Sequence, residues 1–206
     1  EHFISLELGC HNYMELNLFP PILEKLSAEF PLLRPNIRLV PFPSLLNMIE
    51  NNQIHAVLGI KDEQKISSLS FRELCSAPIA CVCSPGHQLA RYKTLSRRQL
   101  AGNFIACSPR QISDSIFTVQ NSILVNLSPG QRFFAENIES AFALAKAHLG
   151  YTLYPDILPA RDKDLCYIPV TDFPKVSFGV YCQYSHDQPV MKRFLTLLSG
   201  FMRENG

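Results

Sequence analysis

The chain has 206 residues, with 19 Lys and Arg against 18 Asp and Glu, a formal net charge of +1, and 47% hydrophobic content. That is the balance of an ordinary globular chain with a sizeable core, and it gives no basic field of the kind that neutralises a phosphate backbone. No apolar run reaches the roughly 18 residues that span a bilayer, and the opening Glu1-His2-Phe3-Ile4 lacks the basic flank and apolar stretch of a secretory leader.

Phe3 to Leu8 alternates and predicts a strand, closed by Gly9-Cys10-His11-Asn12. The following helix has Phe19, Ile22, Leu23, Leu26 and Phe30 on one face, Asn17 as its cap, and Pro20-Pro21 in a first turn whose amides have no partner to lose. Asn36 to Phe42 is the second strand, Ser44 caps a short helix to about Asn51, and Ile54 to Gly59 is the third strand. This βαβαβ order predicts a parallel sheet covered by helices. Leu69 to Cys83, with Pro78 in its middle, predicts a strand that leaves one domain and enters another, a candidate hinge.

Ser96-Arg97-Arg98-Gln99 has the spacing of a capping box and opens a short helix ending near Gly102. Phe104 to Cys107 is a strand and Ile112 to Asn121 is weakly helical. Ile123-Leu124-Val125 and Arg132-Phe133-Phe134 are expected as short strands about the Ser128-Pro129-Gly130 turn. Asn137 then caps a helix with Ile138, Ala141, Phe142, Ala145 and Leu149 on one face. Gly150 stops it in the left-handed conformation, and Tyr151 to Tyr154 is a strand ended by Pro155. Leu165 to Thr171 is the expected return crossover and Val176 to Gln183 a strand back in the first lobe. Pro189 to Met202 is a closing helix with Phe194, Leu197, Leu198 and Phe201 on its apolar face.

Seven cysteines at irregular spacing are expected as reduced, buried thiols, with disulfides or a metal site as the weaker alternative. Cys81 and Cys83 share one face of a strand, but no histidine pair or second close cysteine pair completes a zinc set, so neither metal nor cofactor is expected. Cys107 opens a loop and has no resolving cysteine before Cys166, which disfavours a redox role.

The run Glu136 to Asp156, ENIESAFALAKAHLGYTLYPD, resembles the signature of LysR-type transcriptional regulators in which a capped alanine-rich helix runs into Gly-strand-Pro. Leu18-Phe19-Pro20-Pro21, Pro35-Asn36-Ile37-Arg38-Leu39 and Ser84 to Ala90 resemble further family elements, as does Ile54 to Gly59, where His55 replaces the usual aspartate. The resemblance covers nearly the whole chain and implies the effector-binding portion of such a regulator. Its fold would be α/β, a type 2 periplasmic-binding-protein-like clamshell of two βα lobes joined by two crossover strands. Lobe I would comprise 1–77 plus 174–206 and lobe II 78–173, with the winged helix-turn-helix and linker helix outside these residues. The resemblance further implies a bacterial, cytoplasmic homodimer or higher oligomer that pairs helix 18–30 with helix 138–149 of a partner. DNA contact would come only through the outlying domain, and no membrane partner is expected.

In open α/β sheets, ligands collect outside the carboxyl ends of strands, which selects the loops Cys10 to Tyr13, Phe42 to Ser44, Ile60 to Gln64 and Ser108 to Gln111. The resemblance implies a small effector between the lobes, touching the first, second and fourth. His11 and Asn12 either hold a carboxylate or merely cap the loop, and Tyr13 either contacts ligand or covers the core. Ser44 is a cap with or without ligand. Cys107, Ser108 and Arg110 complete the effector set, Arg110 being either a bidentate carboxylate clamp or a plain surface arginine. Asp156 and Arg161 are assigned to a solvated helix end. No nucleophile elbow, phosphate-binding glycine loop or metalloprotease motif is present, so no catalytic residue is expected. The expected function is sensing of a small anion or carboxylate; the alternative is a solute-binding protein serving a transporter, which has the same architecture.

Overall fold

The computed structural model describes residues 2–61, 68–183 and 188–206. In chain order the elements are β1 (Ile4–Cys10), α1 (Tyr13–Leu16), α2 (Phe19–Glu29), β2 (Leu33–Leu39), α3 (Phe42–Glu50), β3 (Ala56–Ile60), β4 (Leu69–Ala77) and β5 (Ile79–Cys83). They continue with β6 (Phe104–Cys107), α4 (Asp114–Leu124), β7 (Arg132–Ala135), α5 (Ile138–Lys146), β8 (Thr152–Pro155), β9 (Cys166–Pro169), β10 (Val176–Gln183) and α6 (Pro189–Asn205). The chain divides into two compact units: Glu1–Cys75, Leu158–Ala160 and Ser177–Gly206 form the first, Ser76–Ile157 and Arg161–Val176 the second.

The first unit is built on a five-stranded sheet of order β2-β1-β3-β10-β4. β1 is parallel to β2 and β3, as the βαβαβ pattern predicts, but β10 enters antiparallel to β3, so the sheet is mixed. α2 buries Phe19, Ile22 and Leu26 and starts after Leu18 with no side-chain cap. Asn17 is therefore not the cap; Asn12 caps α1 instead. α2 packs on α6, where the Phe19 and Phe194 rings stack at 6.3 Å. α3 begins at Phe42 behind Pro41, so Ser44 lies inside its first turn rather than capping it. The fixed φ of Pro41 and Pro43 preorganises that earlier start. Leu45, Ile49, Ile54, Val57, Leu69 and Tyr181 form one core cluster between α3 and the sheet, each fully buried aliphatic side chain contributing about 2 kcal/mol.

The second unit holds an antiparallel sheet of order β8-β5-β9 and a parallel pair β6-β7. β5 is buried along its whole length, as a central strand should be. Pro78 separates it from β4, where the ladder breaks as expected. Ile123 and Leu124 finish α4 instead of forming a strand. Ser113 caps that helix, and Ile116, Val119, Gln120 and Ile123 bury at helical spacing, so the apolar triplet is its last turn. Leu165 to Thr171 is not the crossover: β9 pairs with β5 inside the unit, and the chain changes unit at Val176 and Ser177 in β10.

α5 is capped by Asn137, whose Oδ1 accepts the Ser140 N–H at 2.7 Å, and it buries Ile138, Ala141, Phe142 and Ala145. It ends at Lys146, leaving Leu149 off the buried face and 38% exposed. The left-handed residue of its stop is His148 (φ 63°), not Gly150. Gly150 is demanded by packing: a Cβ there would lie 2.4 Å from the Asn103 carbonyl oxygen. Of the seven cysteines, Cys75 and Cys166 are half-buried and the rest buried. Among the described residues no cluster suits a metal ion, and no helix is long and apolar enough to cross a membrane.

Candidate functional site

In the first unit, β1 extends to Cys10, so the loop at its carboxyl end starts with His11. The His11 side chain is 12% exposed, and its Nδ1 lies 2.5 Å from the carboxylate of Glu15, which is 1% exposed. That carboxylate also accepts the His11 backbone N–H at 3.2 Å. Asn12, fully buried, accepts the Glu15 N–H at 2.9 Å through Oδ1, and its Nδ2 is 3.4 Å from His11 Nε2. His11, Asn12 and Glu15 thus form one buried polar network. Tyr13 is more than half exposed beside it.

The Val40 N–H donates to the Cys10 carbonyl at 3.2 Å, bringing the ends of β1 and β2 together. The His11 ring meets Phe42 edge-on at 6.0 Å, and Phe42 tilts against Tyr181 at 5.7 Å. The Tyr181 hydroxyl donates to the Ile60 carbonyl at 2.9 Å. Phe42 lies so close over Gly59 that a Cβ there would meet its ring, which fixes the first turn of α3 at the end of β3. Ser44, exposed, sits in that turn. Of the Ile60 to Gln64 loop, Asp62 to Gln64 lie outside the described residues.

In the second unit, the backbone of Cys107 at the end of β6 is held at both ends by one side chain. Its N–H donates to Gln120 Oε1 at 2.8 Å, and Gln120 Nε2 donates to its carbonyl at 2.9 Å. Burial pushes the Cys107 thiol up to about 12, so it is a packed group rather than a nucleophile. The Ser108 N–H donates to the Ala135 carbonyl at 2.9 Å. Arg110 follows in a 3-10 turn, exposed, with no ion pair among the described residues.

Asp156 and Arg161 do not form a solvated helix end: they make a bidentate ion pair, both bonds 2.7 Å, with the Asp156 side chain 6% exposed.

Sequence reasoning missed Glu15, Tyr181 and Gln120, and reached Phe42 only as part of the selected loop Phe42 to Ser44. Glu15 carried a signal, because Asn12-x-x-Glu15 is the spacing of a capping box. Gln120 carried one too, as the polar member of the apolar stripe of α4.

Residues 5–203 match the family model of the LysR substrate binding domain. No curated protein sequence matches the chain. Among solved structures it is similar to the BenM effector binding domain with its effector benzoate. That likeness has 13% identity and a TM-score of 0.75, and covers 97% of this chain and 92% of that one. The reduced form of the OxyR regulatory domain from Pseudomonas aeruginosa matches at 14% identity and a TM-score of 0.70, covering 97% of each chain. The C-terminal domain of a probable LysR family transcriptional regulator from Rhodococcus sp. RHA1 matches at 16% identity and 0.73, over 95% of this chain and 98% of that one. The fold is therefore the mixed α/β, type 2 periplasmic-binding-protein-like fold of LysR effector-binding domains. The chain belongs to the LysR substrate binding domain family, the effector-binding part of transcriptional regulators.

Proposed function

We propose that this domain senses a small anionic effector, a carboxylate foremost, by binding without turnover, for a bacterial regulator working in the cytoplasm. The observation that carries the reading is Arg110: an exposed guanidinium with no ion pair among the described residues, on a loop whose backbone Gln120 and Ala135 hold in place. His11 already faces a buried carboxylate, so His11, Asn12, Tyr13 and Ser44 supply positioned polar and aromatic contacts more than net charge. In the second unit Cys107, its N–H and carbonyl both taken by Gln120, seats the loop, and Ser108 offers its hydroxyl beside Arg110. An effector that binds one conformer better than another shifts their populations by that differential affinity alone. DNA contact is assigned to a domain outside these residues. The family match favours this reading over a solute-binding protein.

The assembly proposed with it is a two-fold dimer through helices 18–30 and 138–149. Since the apolar stripes of α2 and α5 pack within their own units, the contact would use their outer faces, joined by the exposed Phe134 of β7. Monomer alone at high concentration in analytical ultracentrifugation would count against it.

For the effector, calorimetry with small carboxylates and their matched amides is the test. Carboxylates should bind and amides should not, and Arg110→Ala should weaken binding by about tenfold or more, the worth of a charge-assisted pair. Equal binding of acid and amide would remove the anionic reading.

A further inference from the structure

The register of the three-stranded sheet in the second unit sets two free thiols directly opposite each other. Along β5 and β9, Ala80 faces Pro169, Cys81 faces Ile168, Val82 faces Tyr167, and Cys83 faces Cys166. The Val170 N–H donates to the Ile79 carbonyl at 3.0 Å, so 79 and 170 are a hydrogen-bonded pair. Alternation along the ladder makes Cys83 and Cys166 another, with Cα atoms about 5.5 Å apart. Directly opposed side chains share a face, and that Cα separation lies within the disulfide range; the Cβ atoms of a hydrogen-bonded pair, about 5.5 Å apart, must close by about 1 Å to form the bond, which strains the link and keeps it reducible.

The neighbouring thiol fits neither alternative as well. Cys81 and Cys83 stand two residues apart on one strand, about 6.7 Å at Cα and at the upper limit for a bridge. Cys81 lies diagonal to Cys166, at about 7–8 Å, beyond that limit. Exposure separates the roles further: Cys81 and Cys83 are fully buried, whereas Cys166 is half-buried and meets solvent. The pKa of Cys83 is lowered by its interaction with Cys81 and that of Cys166 is raised by burial, so Cys166 attacks first because it meets solvent and not because it is the more acidic thiol.

We propose that Cys83 and Cys166 are a reversible modification site at which a low-molecular-weight disulfide installs a cross-strand disulfide. The Cys166 thiolate attacks one sulfur of the small disulfide. A mixed disulfide forms, the small S–S bond breaks, and one thiolate leaves, taking up the proton that Cys166 lost. Cys83 then attacks the Cys166 sulfur, the protein S–S bond forms, and the second small thiolate leaves with the proton of Cys83. Two protein thiols are oxidised by two electrons and one disulfide is reduced to two thiols. The link ties β5 to β9 and closes a covalent loop from 83 to 166 that contains Arg110 and α5.

The experiment equilibrates the whole chain in glutathione buffers from reduced to oxidised, traps thiols by alkylation and maps peptides by mass spectrometry. A Cys83 to Cys166 cross-linked peptide, reversed by dithiothreitol, is expected. Cys166→Ser abolishes the link and Cys81→Ala, an apolar replacement at a buried position, retains it. A polar replacement at buried Cys83 risks unfolding the sheet, so the wild-type chain and these two variants carry the test. Glutathione left as a stable adduct on Cys166, a link to another cysteine, or unmodified thiols at the oxidised end would each overturn the proposal.

Discussion

The loops after β1 and β6 are both held at the carboxyl end of a strand by a buried side chain from a neighbouring helix, but by opposite means. After β1 the holding group is the Glu15 carboxylate, 1% exposed, which lies against the ring of His11 and accepts its backbone N–H. After β6 it is a neutral amide, Gln120, 4% exposed, which satisfies the N–H and the carbonyl of Cys107. A buried charge makes stronger bonds than an amide and leaves a larger deficit when its partner goes. The first loop is therefore the more tightly determined, and the second is indifferent to its own ionisation.

Removing each group in turn is the most direct way to break that contrast. Glu15→Ala strands the His11 ring and N–H and should cost about 3–4 kcal/mol. Gln120→Leu leaves two backbone groups of Cys107 unsatisfied and should cost about 2–3 kcal/mol. The two units need not unfold together, so the measurement is amide exchange read separately in β1 and in β6. An equal or greater loss in the Gln120 variant would mean that the charge adds nothing to the first loop.

A smaller effect probes how β6 itself is seated. Gly150 touches the Asn103 carbonyl, and the Tyr151 N–H donates to that same oxygen at 3.1 Å, one residue before β6 begins. Gly150→Ala forces a Cβ into that contact and should cost about 2 kcal/mol, as overpacking does. His148→Gly relieves a left-handed residue but gives up the 2.9 Å bond between His148 Nδ1 and Ser84 Oγ, so thermal melts should show it near neutral. If the two variants behaved alike, the glycine would be serving the helix stop after all.

This glycine also shows what the sequence could and could not convey. A capped amphipathic helix followed by Gly-strand-Pro was legible at 136–156 because caps and 3.6-residue periodicity are local, and α5 and β8 form where that pattern puts them. Its reason for glycine was not legible, since Asn103 is 47 residues away in the chain. The same divide runs through the candidate site. The strand ends carrying His11 and Cys107 follow from local pattern, and the capping-box spacing pointed at Glu15. The Gln120 clamp on Cys107 and the approach of Phe42 to Tyr181 depend on tertiary pairing. Ile123 to Val125 is ambiguous in the sequence because three apolar residues suit a strand or a final helical turn equally, and only the Ser113 cap upstream decides.

The smallest effect tests whether the second unit's indifference to ionisation holds beyond its loop. His87 caps the 3-10 turn Gln88–Arg91 by accepting the Leu89 N–H on Nδ1 at 3.0 Å, with its ring edge-on to Tyr151. Burial lowers its pKa from the ordinary histidine value, consistent with a neutral ring acting as acceptor. As pH falls through about 6.5, the unfolded chain takes up a proton that the folded chain refuses, so stability is full above that pH and declines below it. Protonation of Nδ1 also abolishes the Leu89 bond, which puts the loss at this turn. Amide exchange between pH 7.5 and 5.5 should show Leu89 losing protection first while Cys107, held by a neutral amide, keeps its own. His87→Asn, which retains a capping oxygen, should flatten the dependence at Leu89. Parallel loss at Leu89 and Cys107 in the wild-type chain would show that the unit responds to pH as a whole, and the neutral clamp at β6 would then give no local protection.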